Sequence, residues 1–242
     1  MSGGARARAA QPRSEDISAV NAGPPPVENL AMARAEGGRA SPRGISREEH
    51  LRLRQGRVQE LRVAFSRAFG GKTPSGDWTL ELGCGHGHFL REYAQQHPGC
   101  ECLGIDFCRD RIGRAERKRS RADLPNLHFL HAEAAEFLES VPPSPWFREI
   151  FVLFPDPWPK RRHRKNRLVT SHLLDALAER SAPGAAFLFR SDNLDYVQEV
   201  RVALSVHRRW RPSERTSLPC ETVTIFQQKA VHYETVAGVL HV

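Results

Sequence analysis

The chain has 242 residues, with 36 Lys and Arg against 28 Asp and Glu, a formal charge of +8, and enough hydrophobic content (40%) for one sizeable core. No apolar run approaches the roughly 18 residues a membrane helix needs, and the opening MSGGARARAAQPRSEDIS lacks the apolar stretch of a secretory signal, which excludes an integral membrane protein at this level. Five cysteines with no C-x-x-C pair argue against a disulfide framework or zinc site and for a reducing cytoplasm. The surplus of positive charge points to an acidic partner, nucleic acid first, with a merely basic enzyme as the alternative.

Residues 1–44 are built from Ala, Gly, Arg, Pro and Ser without sustained periodicity, and read as a disordered tail ahead of one domain spanning 45–242. Ser46 followed by Glu49 has capping-box spacing and opens a helix. On it Leu51, Val58, Leu61, Phe65 and Phe69 recur at helical intervals, opposite Arg47, Arg52, Arg54, Arg57, Arg62 and Arg67. From Trp78 onward strand-like pieces at 79–82, 101–105, 126–130, 149–154 and 185–190 alternate with helical patterns near 88–96, 109–121, 133–140, 168–180 and 194–205. That alternation predicts an α/β fold: a doubly wound, mostly parallel sheet with helices on both faces. Segments near 222–228 and 235–241 are β-rich with no helix between them, which predicts an antiparallel addition at one edge.

Three features carry chemistry. Leu80-Glu81-Leu82-Gly83-Cys84-Gly85-His86-Gly87 runs from a strand into glycines at alternate positions, ahead of a helix. Such a loop turns tightly and lets a ligand approach the backbone. Leu103-Gly104-Ile105-Asp106 ends the next strand in an acid placed to grip two ribose hydroxyls. Together they imply a nucleoside-containing cofactor, S-adenosylmethionine or NAD, and Glu133 after the third strand is placed either for its adenine or as an ordinary first-turn residue. Third, Phe154-Pro155-Asp156-Pro157-Trp158-Pro159 breaks an apolar strand with prolines that hold an extended backbone around Asp156. The residues from Lys160 to Asn166 then pack five formal cations and His163 together, a density that calls for an anion to offset repulsion. His86, His88 and His163 lack metal-ligand spacing, so no metal is assigned.

The run FPDPWPKRRHRKNRLV resembles the hallmark of the bacterial tRNA (guanine-N7-)-methyltransferase family, class I S-adenosylmethionine-dependent methyltransferases. ELGCGHG and GIDF are similar to that family's cofactor loop and ribose-binding acid, while RSDN (190–193) and TIFQQKA (224–230) are similar to its later substrate segments. The resemblance covers roughly residues 55–235. It implies methyl transfer from S-adenosylmethionine to N7 of a guanine in tRNA, in the variable loop. It further implies that Glu81, Gly83, Gly85, Asp106 and Glu133 meet the cofactor, that Asp156 serves both cofactor and target base, and that Lys160, Arg161, Arg162, Asp192, Thr224, Phe226 and Gln227 meet the substrate.

Glu133 stands where the family usually has Asp or Asn, and Gln227 where it has Glu. A carboxylate accepts twice from a guanine's N1–H and exocyclic amine, whereas an amide offers one acceptor and one donor; Asp192 is then the other available acceptor. Three alternatives stay open. An amino-methyltransferase on another RNA base is suggested by the likeness of D-P-W-P to D-P-P-Y, although the basic run has no counterpart there. An NAD-dependent dehydrogenase is disfavoured by the G-x-G-x-G spacing. A non-catalytic RNA-binding relative is kept by the Gln227 departure.

Overall fold

The structure, a computed structural model, describes residues 46–69, 76–220 and 230–241. The 1–44 tail, the β-rich segment at 222–228, and with it Thr224, Phe226 and Gln227, lie outside the described residues.

Helix α1 (Arg47–Phe69) begins as its sequence dictates, with the Ser46 hydroxyl accepting from the Glu49 N–H at 3.1 Å. Its arginine face is only partly a solvated one. Arg57 forks onto Glu136 of α4 (Ala134–Ser140), Nε to Oε2 at 2.9 Å, and Arg54 pairs with Glu139 at 2.5 Å. Below these, Phe65 and Phe69 pack edge-on against Trp146 and Trp78, with ring centroids 5.2 and 4.8 Å apart. Leu51, expected on the apolar face, is instead 47% exposed, because the first turns of α1 lie beyond the packed part of the helix.

The sheet has seven strands in the order β3-β2-β1-β4-β5-β7-β6. Strands β1 (Trp78–Leu82), β2 (Cys102–Asp106), β3 (Leu127–His131), β4 (Phe147–Leu153) and β5 (Ser181–Ser191) are parallel, while β7 (Glu234–Leu240) pairs antiparallel with β5 and β6 (Trp210–Ser213) pairs antiparallel with β7. The mostly parallel sheet and its antiparallel edge match the sequence expectation. The strand that pairs with β7 at the outer edge is β6, which carries no clear strand signal in the sequence: its four residues WRPS are short, half polar and include a proline.

Apolar side chains divide between the two faces. A large cluster lies under α1, α4, α5 (Ser171–Ala178) and α6 (Leu194–Val206), and a smaller one lies under α2 (His88–Gln96) and α3 (Arg109–Ala122). Strands buried on both faces, such as WTLEL and CLGID, are the signature of a covered parallel sheet. Trp146 and Trp210 are both buried, as expected of packing residues, and the Trp210 indole N–H donates to the Leu174 carbonyl at 2.9 Å. No helix among the described residues is long and apolar enough to cross a membrane.

Candidate active site

Strand β1 has β2 on one side and β4 on the other, so the crossovers leave it in opposite directions. Open α/β sheets form their ligand crevice at such a switch point, beyond the carboxyl ends of the strands. A cavity of about 720 Å³ lies there, its wall including Gly83, Asp106, Glu133 and Asp156, all expected from sequence, with Phe107 and Trp158.

The glycine loop is explained by backbone conformation. Gly83, Gly85 and Gly87 have φ of 77°, 55° and 66°, a region that side chains with a Cβ rarely enter. That path turns the loop back over β2, where the Gly83 and Cys84 N–H groups donate to the Ile105 carbonyl at 2.8 and 2.9 Å. Asp106, 3% exposed, accepts from the Gly85 N–H at 2.9 Å and from the Cys108 N–H at 2.8 Å. Both amides fix the plane of the carboxylate against the cavity wall.

Glu81 sits on β1 behind the loop, 3% exposed, with Oε2 buried and without a hydrogen-bond partner among the described residues. Burial first, then the charge of Asp106, pushes its pKa up to about 8, against the pull of a hydrogen bond from the Leu90 backbone. The folded protein therefore holds a proton there that the unfolded chain loses above the ordinary glutamate value of 4.5. Stability from this group is present below that value and is lost as pH rises towards 8. Glu81→Gln is accordingly expected to raise the melting temperature of the ligand-free protein above pH 8. The gain should be equivalent to a few kcal/mol, at roughly 1.4 kcal/mol for each tenfold difference in proton affinity between folded and unfolded chain. It should vanish below pH 5; an equal gain at both pH values would refute a buried ionisation cost.

Beyond β4 the chain is bent and strained. Phe154 and Trp158 have φ of 50° and 42°, left-handed values that cost bulky residues about 1–3 kcal/mol each, and they bracket Pro155-Asp156-Pro157. Several contacts hold the segment. The Phe154 N–H donates to the Arg190 carbonyl at 2.7 Å, the Trp158 ring meets His163 edge-on at 5.9 Å, and Arg167 Nε donates to the Pro157 carbonyl at 2.9 Å. Asp156 is exposed on this support and has no hydrogen-bond or ion-pair partner among the described residues.

The basic run forms a short 3₁₀ helix, Arg161–Asn166, and its cations fall into two groups. Lys160, Arg161 and Arg162 are exposed, without a carboxylate partner among the described residues. Arg164 instead pairs with Asp195 and Glu199 of α6 at 2.8 and 3.1 Å. Just past the run, Arg167 has a side chain only 2% exposed; it pairs with the same two acids at 2.9 and 2.5 Å and lies 4.6 Å over the Tyr196 ring. The expectation that only an external anion offsets this run is thus corrected. Part of the compensation comes from α6, because Asp195 and Glu199 stand one helical turn apart and face it.

Of the remaining predicted residues, Glu133 is the N-cap of α4, accepting from the Glu136 N–H at 3.0 Å, and it lines the cavity. Asp192 is exposed just past β5, outside the cavity wall but on the same sheet edge as Asp156, since Leu153 and Arg190 are register partners. Gly85 acts through its N–H on Asp106. Burial and nearby acids raise the Cys84 thiol well above its ordinary range, which removes it as a nucleophile. Among the wall residues given no role by the sequence are Phe107, the last residue of GIDF and 66% exposed, and Arg111, whose guanidinium is 3.7 Å from Asp106. An exposed aromatic directly after a strand-ending acid is the available signal for the first.

A family model described as "Putative methyltransferase" matches residues 75–237, well over half of the chain. A tRNA (guanine-N(7)-)-methyltransferase of Nitrosococcus oceani is 35% identical over 128 residues, which is 53% of this chain and 54% of that protein. The chain thus spans little more than half the length of such relatives. One of the same description from Thermosynechococcus vestitus is 30% identical over 174 residues, covering 67% of this chain and 82% of that protein. Among solved structures, the 16S rRNA methyltransferase KamB aligns over 82% of this chain and 95% of its own with a TM-score of 0.52 at 19% identity, a likeness of fold alone. With a glycine loop, a strand-ending acid and a rigid Asp156 converging on one switch point, and with these matches, the chain belongs to the family of the bacterial tRNA (guanine-N(7)-)-methyltransferases.

Proposed function

We propose that this protein transfers a methyl group from S-adenosylmethionine to N7 of a guanine in tRNA, in the variable loop, and that it does so in the cytoplasm. The observation that carries this reading is Asp156, an exposed carboxylate held on a strained segment at the cavity rim, with Lys160, Arg161 and Arg162 immediately beyond it.

Four features in and behind the cavity wall fit S-adenosylmethionine. Left-handed glycines leave the loop backbone open to close approach, and Asp106 presents a fixed carboxylate suited to two ribose hydroxyls. Glu81 keeps an unmet buried oxygen that a cationic ligand would satisfy. Glu133 lines the region that would take the adenine. When bound, the cofactor supplies an electrophilic methyl on a sulfonium, and guanine N7 offers an in-plane lone pair without a proton, so no general base is needed.

The work left to this chain is alignment and charge. Asp156 and Asp192, on neighbouring strand ends, accept hydrogen bonds from the base, and their field offsets the positive charge that develops on the purine. Lys160, Arg161 and Arg162 meet RNA phosphates, while Thr224, Phe226 and Gln227 are assigned to the substrate by family likeness. A target base buried in folded tRNA must be displaced to reach Asp156.

The deciding experiment incubates the protein with unmodified tRNA and methyl-labelled S-adenosylmethionine, digests the RNA to nucleosides and identifies the labelled one by mass and chromatography. Labelled 7-methylguanosine is expected. N6-methyladenosine would transfer the protein to the amino-methyltransferases. An unlabelled product from a chain that binds tRNA but has no affinity for the cofactor would make it a binding protein.

A further inference from the structure

Helix α3 carries a cationic face that the reaction centre does not use. Its sequence RDRIGRAERKRSRA holds seven cations and two acids, and only Ile112 and Ala115 are buried. Of the acids, Glu116 is taken by Arg119 at 2.8 Å. Arg114, Arg117 and Arg121 are exposed and have no carboxylate partner among the described residues. They stand three and four residues apart, on one outward strip of the helix.

A second row turns inward. Arg111 lies 3.7 Å from Asp106 at the cavity wall. Lys118 Nζ donates to the His86 carbonyl at 2.9 Å and meets His88 Nε2 at 2.7 Å. Burial first, and then the charges of Arg91 and Arg114, hold the Lys118 ammonium below its ordinary range. An ordinary solvated helix face mixes signs, because like charges one turn apart each cost a few tenths of a kcal/mol. Here three such pairs (Arg114–Arg117, Arg114–Lys118, Arg117–Arg121) have no carboxylate partner among the described residues.

We propose that the outward strip of α3 is a second contact surface for the phosphate backbone of tRNA, continuous with the cavity through Arg111. This rests on the reading of tRNA as substrate given above. The helix starts three residues after Asp106, at the sheet edge where the base is read, and runs away from it. From Arg114 to Arg121 it advances about 10 Å, long enough to meet more than one phosphate. A polyanion anchored at Lys160–Arg162 and reaching past the cavity would relieve the repulsion along this strip.

The test is the salt dependence of tRNA binding by the full chain. Arg114→Gln, Arg117→Gln and Arg121→Gln together remove three exposed charges while keeping good helix formers. The slope of log affinity against log salt is expected to shrink by about 2, with roughly tenfold weaker binding at physiological salt. KM for tRNA should rise in parallel and affinity for S-adenosylmethionine should stay unchanged. The matching triple lysine variant should keep the wild-type slope. Arg208→Gln, beyond α6 at the opposite sheet edge and 89% exposed, should keep it too. A glutamine triple with the wild-type slope, or an Arg208 variant with an equal loss, would overturn the assignment. Failure of the parent reading looks different: wild type would bind tRNA with the full slope yet transfer no methyl group, leaving this surface standing.

Discussion

Alanine at Asp156 is expected to cut methyl transfer to tRNA by about 10²–10³-fold or more, the scale on which preorganised charge-stabilising groups act. Thermal stability should change by less than about 1 kcal/mol, as for surface sites without special roles. The two halves of this expectation have separate causes. The side chain is exposed and has no partner among the described residues, so nothing in the fold leans on it. Its backbone, by contrast, lies between two left-handed aromatics and is pinned at Phe154 and Pro157. Strain on both sides of a position whose side chain stabilises nothing is the pattern of a group held for chemistry. Asp156→Asn keeps the volume and one acceptor but loses the charge, and should fall between alanine and wild type. Near-normal turnover in the alanine variant, measured under single-turnover conditions, would remove Asp156 from the mechanism.

Arg167→Met is expected to destabilise the protein strongly. The guanidinium is almost fully buried, ties α6 to the Pro157 carbonyl, and rests on Tyr196, whose hydroxyl in turn accepts from the Val169 N–H at 2.8 Å. Removing it leaves the Pro157 carbonyl without that donor and a void above the ring. The expected cost is about 3 kcal/mol, towards the low end for a broken buried pair, since Asp195 and Glu199 are half-exposed and can return to water. Arg167→Lys keeps the charge but loses the planar fork, so stability should recover more than turnover does. Arg167 also lines the cavity, so cofactor affinity should fall in the methionine variant, but by less than turnover does, because the glycine loop and Asp106 are left intact. If the methionine variant melts and turns over like wild type, the support of the Asp156 segment lies elsewhere.

Much of the site is legible in the sequence because local chemistry leaves few choices. Glycines at alternate positions after an apolar strand announce left-handed backbone, and all three have it. An acid ending the next strand announces a carboxylate at the crevice, and Asp106 is there. Ser46 announces a helix start by offering an oxygen to a free N–H. Helix α5 is shorter at both ends than its pattern predicts, since 168–180 is apolar enough to read as helix throughout. The observed start follows the Thr170 cap, with Leu168 and Val169 outside the helix and the Val169 N–H donating to the Tyr196 hydroxyl.

What stays hidden depends on partners distant in sequence. Six cations crowd the stretch from Lys160 to Arg167, and nothing in their order separates Arg164 and Arg167 from Lys160, Arg161 and Arg162. Only the packing of α6 does so, by setting Asp195 and Glu199 opposite the first pair and leaving the others facing solvent. Glu81 is likewise visible as a motif residue but not as a buried group with an unmet oxygen, since that follows from coverage by the loop and helix on the sheet. The sequence by itself determined the fold class, the glycine loop and the acids at the strand ends, because backbone freedom and apolar periodicity act over a few residues. Tertiary structure alone decided which cations are structural and which are left for a partner, because charge compensation is a matter of distance in space.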